Sequence, residues 1–299
     1  MGRPEAQLET RLERVRQLRG SFDDEAQRDL FREDLEKRLP AFRSLPWWSM
    51  GQALLSELHR DGTRPNRFVE ARRVAEEGRN AYPSSPGGQR CLSISSEIEA
   101  PDYSITSMLV DGPKKRSIEV SHRNVRGLHF RAVKVDIERW LEVSPDWNLI
   151  PTGQYGGAEL KVMAGRKPTA EWYEELPPTA DYERHRSFVT PPLTEPGFWV
   201  LLASAGKGFG GLDNVVVGAS LFVSDLVVVR QTDSATGDVS CRVLSGSTGM
   251  PVSGVEVDLW RYGWQVGRGR ADQKVTGGDG TVSFGAQEQK GSYFVLARK

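Results

Sequence analysis

Apolar residues recur at helical spacing over residues 5–100 and at alternate positions beyond them. Leu8, Leu12, Val15 and Leu18 form one stripe. Ala26, Leu30, Leu35 and Leu39 form a second, with Phe31 beside it. Pro40 and Pro46 punctuate the run, and Pro46 suits the first turn of a third helix carrying Trp48, Leu54, Leu55 and Leu58. Asp61 and Gly62 stop it. A fourth helix is predicted from about Asn66 to Gly78 through Phe68, Ala71 and Ala75. Tyr82–Pro86 reads as a connector, and Cys91–Glu97 as a fifth helix.

At Ala100 and Pro101 the period changes to two. Tyr103–Val110 and Ser117–His122 read as strands joined by an Asp-Gly-Pro turn at 111–113. A long strand follows over Leu128–Ile137, in which Leu128 and Phe130 share one face and Val133, Val135 and Ile137 the other. That slip predicts a β-bulge near Arg131 and Ala132. Residues 142–185, rich in Pro and Gly, read as an irregular insertion, with Thr169–Leu176 as a helical turn or two. Strands resume at Arg186–Thr190, Phe198–Ala203 and Val215–Val229, the last broken by Gly218 and Asp225. Over Gly237–Arg298 short alternating runs predict a β-sandwich with Val239, Cys241, Val243, Val255, Val257 and Leu259 inward. Trp260 ends one of these strands and is expected at least partly buried; Trp264, between glycines, is expected on an exposed hairpin.

The expected fold is therefore mainly β. An α-helical hairpin region (1–100) precedes two antiparallel Ig-like β-sandwiches, 101–229 with the insertion 142–185, and 230–299. The division is placed at Arg230–Asp233, where apolar content falls. The paired short helices and their Tyr-Pro loop are tetratricopeptide-like, but one unit is not a repeat array.

Composition narrows the function. With 299 residues and 38% apolar content the chain is long enough for two or three domains. Its 40 Lys+Arg balance 40 Asp+Glu, so no net field steers it to nucleic acid or an anionic membrane. The Arg/Glu alternation at the N-terminus reads as a solvated helix face. No apolar run reaches membrane-spanning length, and residues 1–4 lack the apolar core of a signal peptide. The chain is expected to be part of a longer one. Cys91 and Cys241 are expected as buried free thiols in different domains.

The residues then reach a family. Arg123, Asn124 and Val125, followed by Leu128, Phe130, Arg131, Val133, Val135 and Asp136, resemble a strand pair of bacterial alpha-2-macroglobulin-family proteins. The later series Trp172, Leu176, Pro177, Asp181, Tyr182, His185, Pro192, Leu193, Pro196, Gly197, Phe198, Ala203 and Ser204 is similar to the same macroglobulin domain. Val223–Leu226 looks like the hand-over to a next domain, whose opening signature matches Thr248, Gly249, Pro251, Val252, Gly254, Val255, Val257 and Leu259. The resemblance covers about residues 65–299 and departs from the family pattern at Phe198, Trp199 and Ala132. It implies macroglobulin-type sandwiches, a periplasmic, cell-surface or secreted location, and proteases as partners of the full-length protein, with adjacent macroglobulin domains as neighbours.

Catalytic chemistry is not encoded at any of the usual spacings. The family's thioester joins a Cys to a Gln three residues on, whereas Ala286 precedes Gln289 here, and Ile94 and Leu244 follow the two cysteines at that distance. The Gly-rich run at 206–211 lacks phosphate-loop spacing. His59, His122, His129 and His185 are scattered without metal-ligand partners. No cofactor, metal or catalytic residue is expected, and the chain is read as not an enzyme. Trp147, Tyr155, Trp172 and Tyr173, in the insertion, are the candidate partner contacts, with packing onto their own sandwich as the competing role. The expected role is a non-catalytic structural part of a macroglobulin-like envelope protein. The alternative is an Ig-like adhesin or receptor-binding array using 142–185 as its contact loop.

Overall fold

The computed structural model describes residues 3–21, 25–108, 110–112, 118–143, 158–209, 214–233, 235–263, 267–286 and 292–299. The chain divides into two units. The first holds Met1–Asp102, His122–Val125 and Pro177–His185; the second holds Tyr103–Ser121, Arg126–Leu176 and Arg186–Lys299.

The first unit is built on α1 (Pro4–Arg19), α2 (Glu25–Arg38), a short 3-10 turn (Leu39–Phe42), α3 (Trp48–Arg60), α4 (Arg67–Ala81) and α5 (Pro86–Glu99). The first predicted stripe is buried as Leu8, Leu12 and Val15, against Leu35, Leu39, Trp48, Leu54 and Leu58. Leu30, placed on the second stripe, is 63% exposed. A second core joins Ala53, Ala71 and Ala75 to Cys91, Ile94 and Ile98. Its small residues let the helices approach closely: a Cβ at Gly87 would stand 2.2 Å from the Met50 nitrogen, and one at Gly88 2.0 Å from the Tyr82 carbonyl oxygen. The fifth helix starts at Pro86, well before Cys91. Pro occupies its first turn, and the Ser85 hydroxyl accepts the Gly88 N–H at 3.0 Å.

The second unit opens with β1 (Asp102–Ser107), β2 (Val110–Asp111), β3 (Ile118–Arg123), β4 (Gly127–Val135), α6 (Ile137–Val143), α7 (Ala158–Ala164), β5 (Ala170–Glu175), β6 (His185–Val189), β7 (Gly197–Ser204) and β8 (Val216–Val223). The ends of β1, β3 and β6 count with the first unit. One sheet runs β1-β3-β6; the other runs β2-β8-β7-β4-β5, with only β2 and β8 parallel among its pairs. The predicted bulge at Arg131–Ala132 does not form, because β4 keeps an unbroken register with β7 from His129 to Val135. The parity slip has another cause. Leu128, Phe130 and Ala132 are buried on one face, while Val133 and Val135 are buried on the other by Leu160 and Met163 of α7. Close approach of α7 is permitted by Gly218, where a Cβ would lie 2.4 Å from Leu160 Cδ2. Gly218 thus sits inside an unbroken β8 and does not interrupt it.

Two further predictions are corrected here. Thr169–Leu176 holds no helical turn but strand β5, whose residues pair with β4 from Ala132↔Ala170 to Gly127↔Glu175. The long strand ends at Val135, because Asp136 caps α6: its Oδ1 accepts the Arg139 N–H at 3.1 Å.

The remaining strands are β9 (Leu226–Thr232), β10 (Asp238–Ser245), β11 (Glu256–Gly263), β12 (Gly267–Val275), β13 (Thr281–Ala286) and β14 (Ser292–Arg298). They form two antiparallel sheets, β13-β10-β9 and β12-β11-β14. Val239, Cys241, Val243, Val255, Val257 and Leu259 fill the core between them, with Leu226 and Val228 packed against it. The change of sandwich therefore falls at Ser224–Asp225, and the predicted boundary between 229 and 230 lies inside β9. Strand β12 escaped the sequence reading, since its run from Arg268 to Lys274 is polar and lacks apolar alternation.

Candidate functional site

Of the four predicted contact residues, Trp147 and Tyr155 lie outside the described residues. Trp172 and Tyr173 are adjacent on β5 and therefore point to opposite faces of the sheet. Trp172 lies flat on Phe130, its cross-strand partner, with centroids 5.0 Å apart and planes at 8°. It packs its own sheet. Tyr173 is 47% exposed, with its ring beside His129 at 4.8 Å.

Cys91 and Cys241 are both buried and free. Burial pushes the Cys91 thiol up to about 12 and raises that of Cys241. His59 lies in the helical unit with Nε2 3.2 Å from a Glu36 oxygen. His122 is fully buried, and burial, with His185 nearby, lowers its pKa. His185 Nε2 stands 2.9 and 3.0 Å from the two Asp181 oxygens. Burial alone would raise the Asp181 pKa, but hydrogen bonding to His185 brings it below the ordinary carboxylate value. Trp260 is 2% exposed; Trp264 lies outside the described residues.

Several of the residues that carried the family resemblance stand at turns and caps, while others lie within strands β4, β5, β7 and β11. In the first unit Asn124 adopts a left-handed conformation (φ 57°) and its Nδ2 donates to the carbonyls of Ile98 at 2.6 Å and Ala100 at 3.1 Å, closing the end of α5. The Asn124 N–H donates to the Thr179 hydroxyl at 2.8 Å. Tyr182, also left-handed (φ 59°), packs against the core of Ala71, Ile94 and Ile98 with the Arg72 guanidinium over its ring. Next to it Glu183 takes a two-pronged ion pair from Arg67, at 2.7 and 3.1 Å. In the second unit Asp225 accepts the Ser247 N–H at 2.8 Å and the Ser245 and Ser247 hydroxyls at 2.7 and 3.0 Å. These bonds, the largest from Ser245, hold its carboxyl below the ordinary range. They tie the hand-over residue to the loop that carries Thr248, Gly249 and Pro251.

One cluster was not anticipated from sequence. Asp258 is fully buried on β11, and its Oδ2 accepts from Arg298 of β14 at 2.7 Å, with Arg270 of β12 at 3.8 Å. Arg298 also reaches Glu138 of α6 at 2.6 Å and Glu256 at 2.7 Å. By alternation Asp258 faces away from the sandwich core, as Val257 and Leu259 face into it. The signal that it is covered was its neighbour on that face, Trp260, which stacks on Phe294 at 6.1 Å. Among the described residues no group of His, Cys, Asp or Glu is arranged to hold a metal ion, and no helix is long and apolar enough to cross a membrane.

No family model matches the chain, and no curated protein matches it. Solved structures do. The chain is similar to the crystal structure of native alpha-2-macroglobulin from Escherichia coli spanning domains NIE-MG1, at 15% identity and a TM-score of 0.49, over 65% of this chain and 96% of that one. It is similar to the same protein spanning domains MG0-NIE-MG1 at 16% identity and a TM-score of 0.46, over 66% of this chain and 64% of that chain. A Salmonella alpha-2-macroglobulin mutant is matched at 16% identity and a TM-score of 0.44, over 67% of this chain and 11% of that chain.

The residues bearing the resemblance shape the backbone, by left-handed turns at Asn124 and Tyr182, a helix cap at Asp136 and a loop pin at Asp225. Two of them, Asp181 and His185, form a carboxylate–imidazole pair at 2.9 and 3.0 Å.

Proposed function

We propose that this chain is a non-catalytic structural part of an alpha-2-macroglobulin-like envelope protein, acting outside the cytoplasm in a protein that engages proteases. One observation carries the reading: Asn124, Asp136, Asp181, Tyr182 and Asp225, which bear the family resemblance, are spent on capping, turning and pinning the chain. Residues used in this way fix where rigid elements sit. The role assigned is architectural: stacked sandwiches hold a trapping apparatus supplied elsewhere in the full-length protein.

The test is the full-length protein isolated from its native source and sequenced by mass spectrometry beyond Lys299. A protease-sensitive bait segment followed by a Cys-x-x-Gln motif supports the trap. Further Ig-like repeats with a surface anchor, and no bait, overturn it in favour of an adhesin.

A further inference from the structure

Strand β5 ends the five-stranded sheet, with β4 on one side and, among the described residues, no strand on the other. Leu176, just past β5, donates its N–H to the Arg126 carbonyl at 3.0 Å. Counting back along the unshifted register, Glu174 and Trp172 turn their backbone groups toward β4 opposite Leu128 and Phe130. By alternation Glu171, Tyr173 and Glu175 turn theirs to the open edge. An edge of free N–H and C=O groups is a template for another strand.

Natural edges are commonly blocked by Pro, by a bulge or by an inward-pointing charge. Within β5 there is no Pro, and its pairing to β4 shows no shift; Pro168 and Pro177 lie beyond its ends. Trp172 ties the strand to β4 by stacking on Phe130. Tyr173 presents its ring on the other face. The charges are polarised. Glu171 is neutralised by Arg131 at 2.6 Å, whereas Glu174 and Glu175 make no ion pair among the described residues. At the opposite end Arg166 and Lys167 are exposed.

We propose that the open edge of β5 is a strand-addition site for an extended segment of a partner protein. The segment runs antiparallel to β5, with Lys or Arg at its leading end against Glu174 and Glu175. It carries an aliphatic or β-branched residue over Tyr173, and an acid at its trailing end against Arg166 and Lys167. Antiparallel addition matches β4–β5 pairing and also brings a peptide's own amino terminus to the acidic end. This inference does not rest on the trap reading, and its test involves no protease.

The probe is a short peptide, Lys-Lys-Val-Thr-Val-Thr-Glu, measured against the same sequence reversed and against a copy N-methylated at alternate amides. Composition and formal side-chain charge are equal in the first two. Binding by fluorescence anisotropy should weaken by about tenfold or more for the reversed and the methylated peptides. Bound peptide should slow amide exchange at Glu171, Tyr173 and Glu175 and leave Trp172 and Glu174 unchanged. The double substitution Glu174→Lys and Glu175→Lys, both on exposed or half-exposed positions, should abolish the preference for the forward peptide. Equal binding of all three peptides, no binding of any, or protection away from β5 would overturn the proposal.

Discussion

Arg298 and Glu138 stand 2.6 Å apart, although 160 positions separate them in the chain. Arg298 closes the last strand and Glu138 opens α6, so the contact couples the outer face of sheet β12-β11-β14 to the helix that follows β4. Beneath it Asp258 is fully buried, and its charge is balanced by Arg298 and Arg270.

Arg298→Met keeps the side chain's apolar length and removes the charge. It should destabilise the β unit by about 3 kcal/mol, because a buried carboxylate loses its nearest partner. A double-mutant cycle with Asp258→Asn, read from urea unfolding, should return a coupling of more than about 1 kcal/mol. Additive effects would mean that the two groups are independently solvated.

Asn124 combines positive φ with two side-chain hydrogen bonds. Asn124→Gly keeps the backbone conformation and loses the bonds; Asn124→Ala loses both. We expect losses of about 1–2 kcal/mol for Gly and about 1 kcal/mol more for Ala. Denaturant midpoints should rank the wild type above Gly and Gly above Ala, and Ala equal to Gly would contradict the left-handed assignment.

The helices and most strands were legible because burial follows one period at a time. The stripe of Leu8, Leu12 and Val15 and the alternation from Val239 to Leu259 each face a single core. Legibility failed where two layers cover one element. Strand β4 is buried on both faces, so its parity slip mimicked a bulge, and Asp258 sits on an outward face where Arg298 and Arg270 reach it. It failed again where packing overrides propensity. Helix α5 starts at Pro86, ahead of the predicted Cys91, and holds Gly87 and Gly88, poor helix formers, where it presses against backbone. Of the site, Trp172 and Tyr173 were named together as candidate contacts; that Trp172 stacks on Phe130 while Tyr173 is exposed depends on the register with β4, which composition does not reveal.

Gly87→Ala tests that packing. Its new methyl would sit 2.2 Å from the Met50 nitrogen and 2.5 Å from the Ser49 carbonyl carbon, both backbone atoms that cannot rotate away. On helix propensity alone Ala would stabilise by about 1 kcal/mol. We expect instead a loss of about 2–3 kcal/mol from forced separation of α3 and α5. A raised thermal midpoint would contradict the close approach.

Stability should fall toward both ends of the pH scale. Burial lowers the pKa of His59 and His122, so the unfolded chain takes up protons first, and stability is lost as pH falls below their ordinary value of 6.5. The Cys91 thiol is raised from 9.0 to about 12, so stability present below pH 9 is lost as pH climbs toward 12. Cys91→Ala should flatten the alkaline limb relative to wild type, as read by urea midpoints across pH. An unchanged limb would mean that the thiol ionises equally in both states.

On the proposed reading this chain builds and does not react. Intact mass spectrometry after incubation with a panel of serine, cysteine and metalloproteases, and separately with methylamine, tests it directly. With both thiols buried and Ala286 at the position where a thioester would need sulfur, the account predicts no covalent protease adduct and no methylamine-dependent mass change. A covalent adduct with any protease, or a methylamine mass shift, would contradict it.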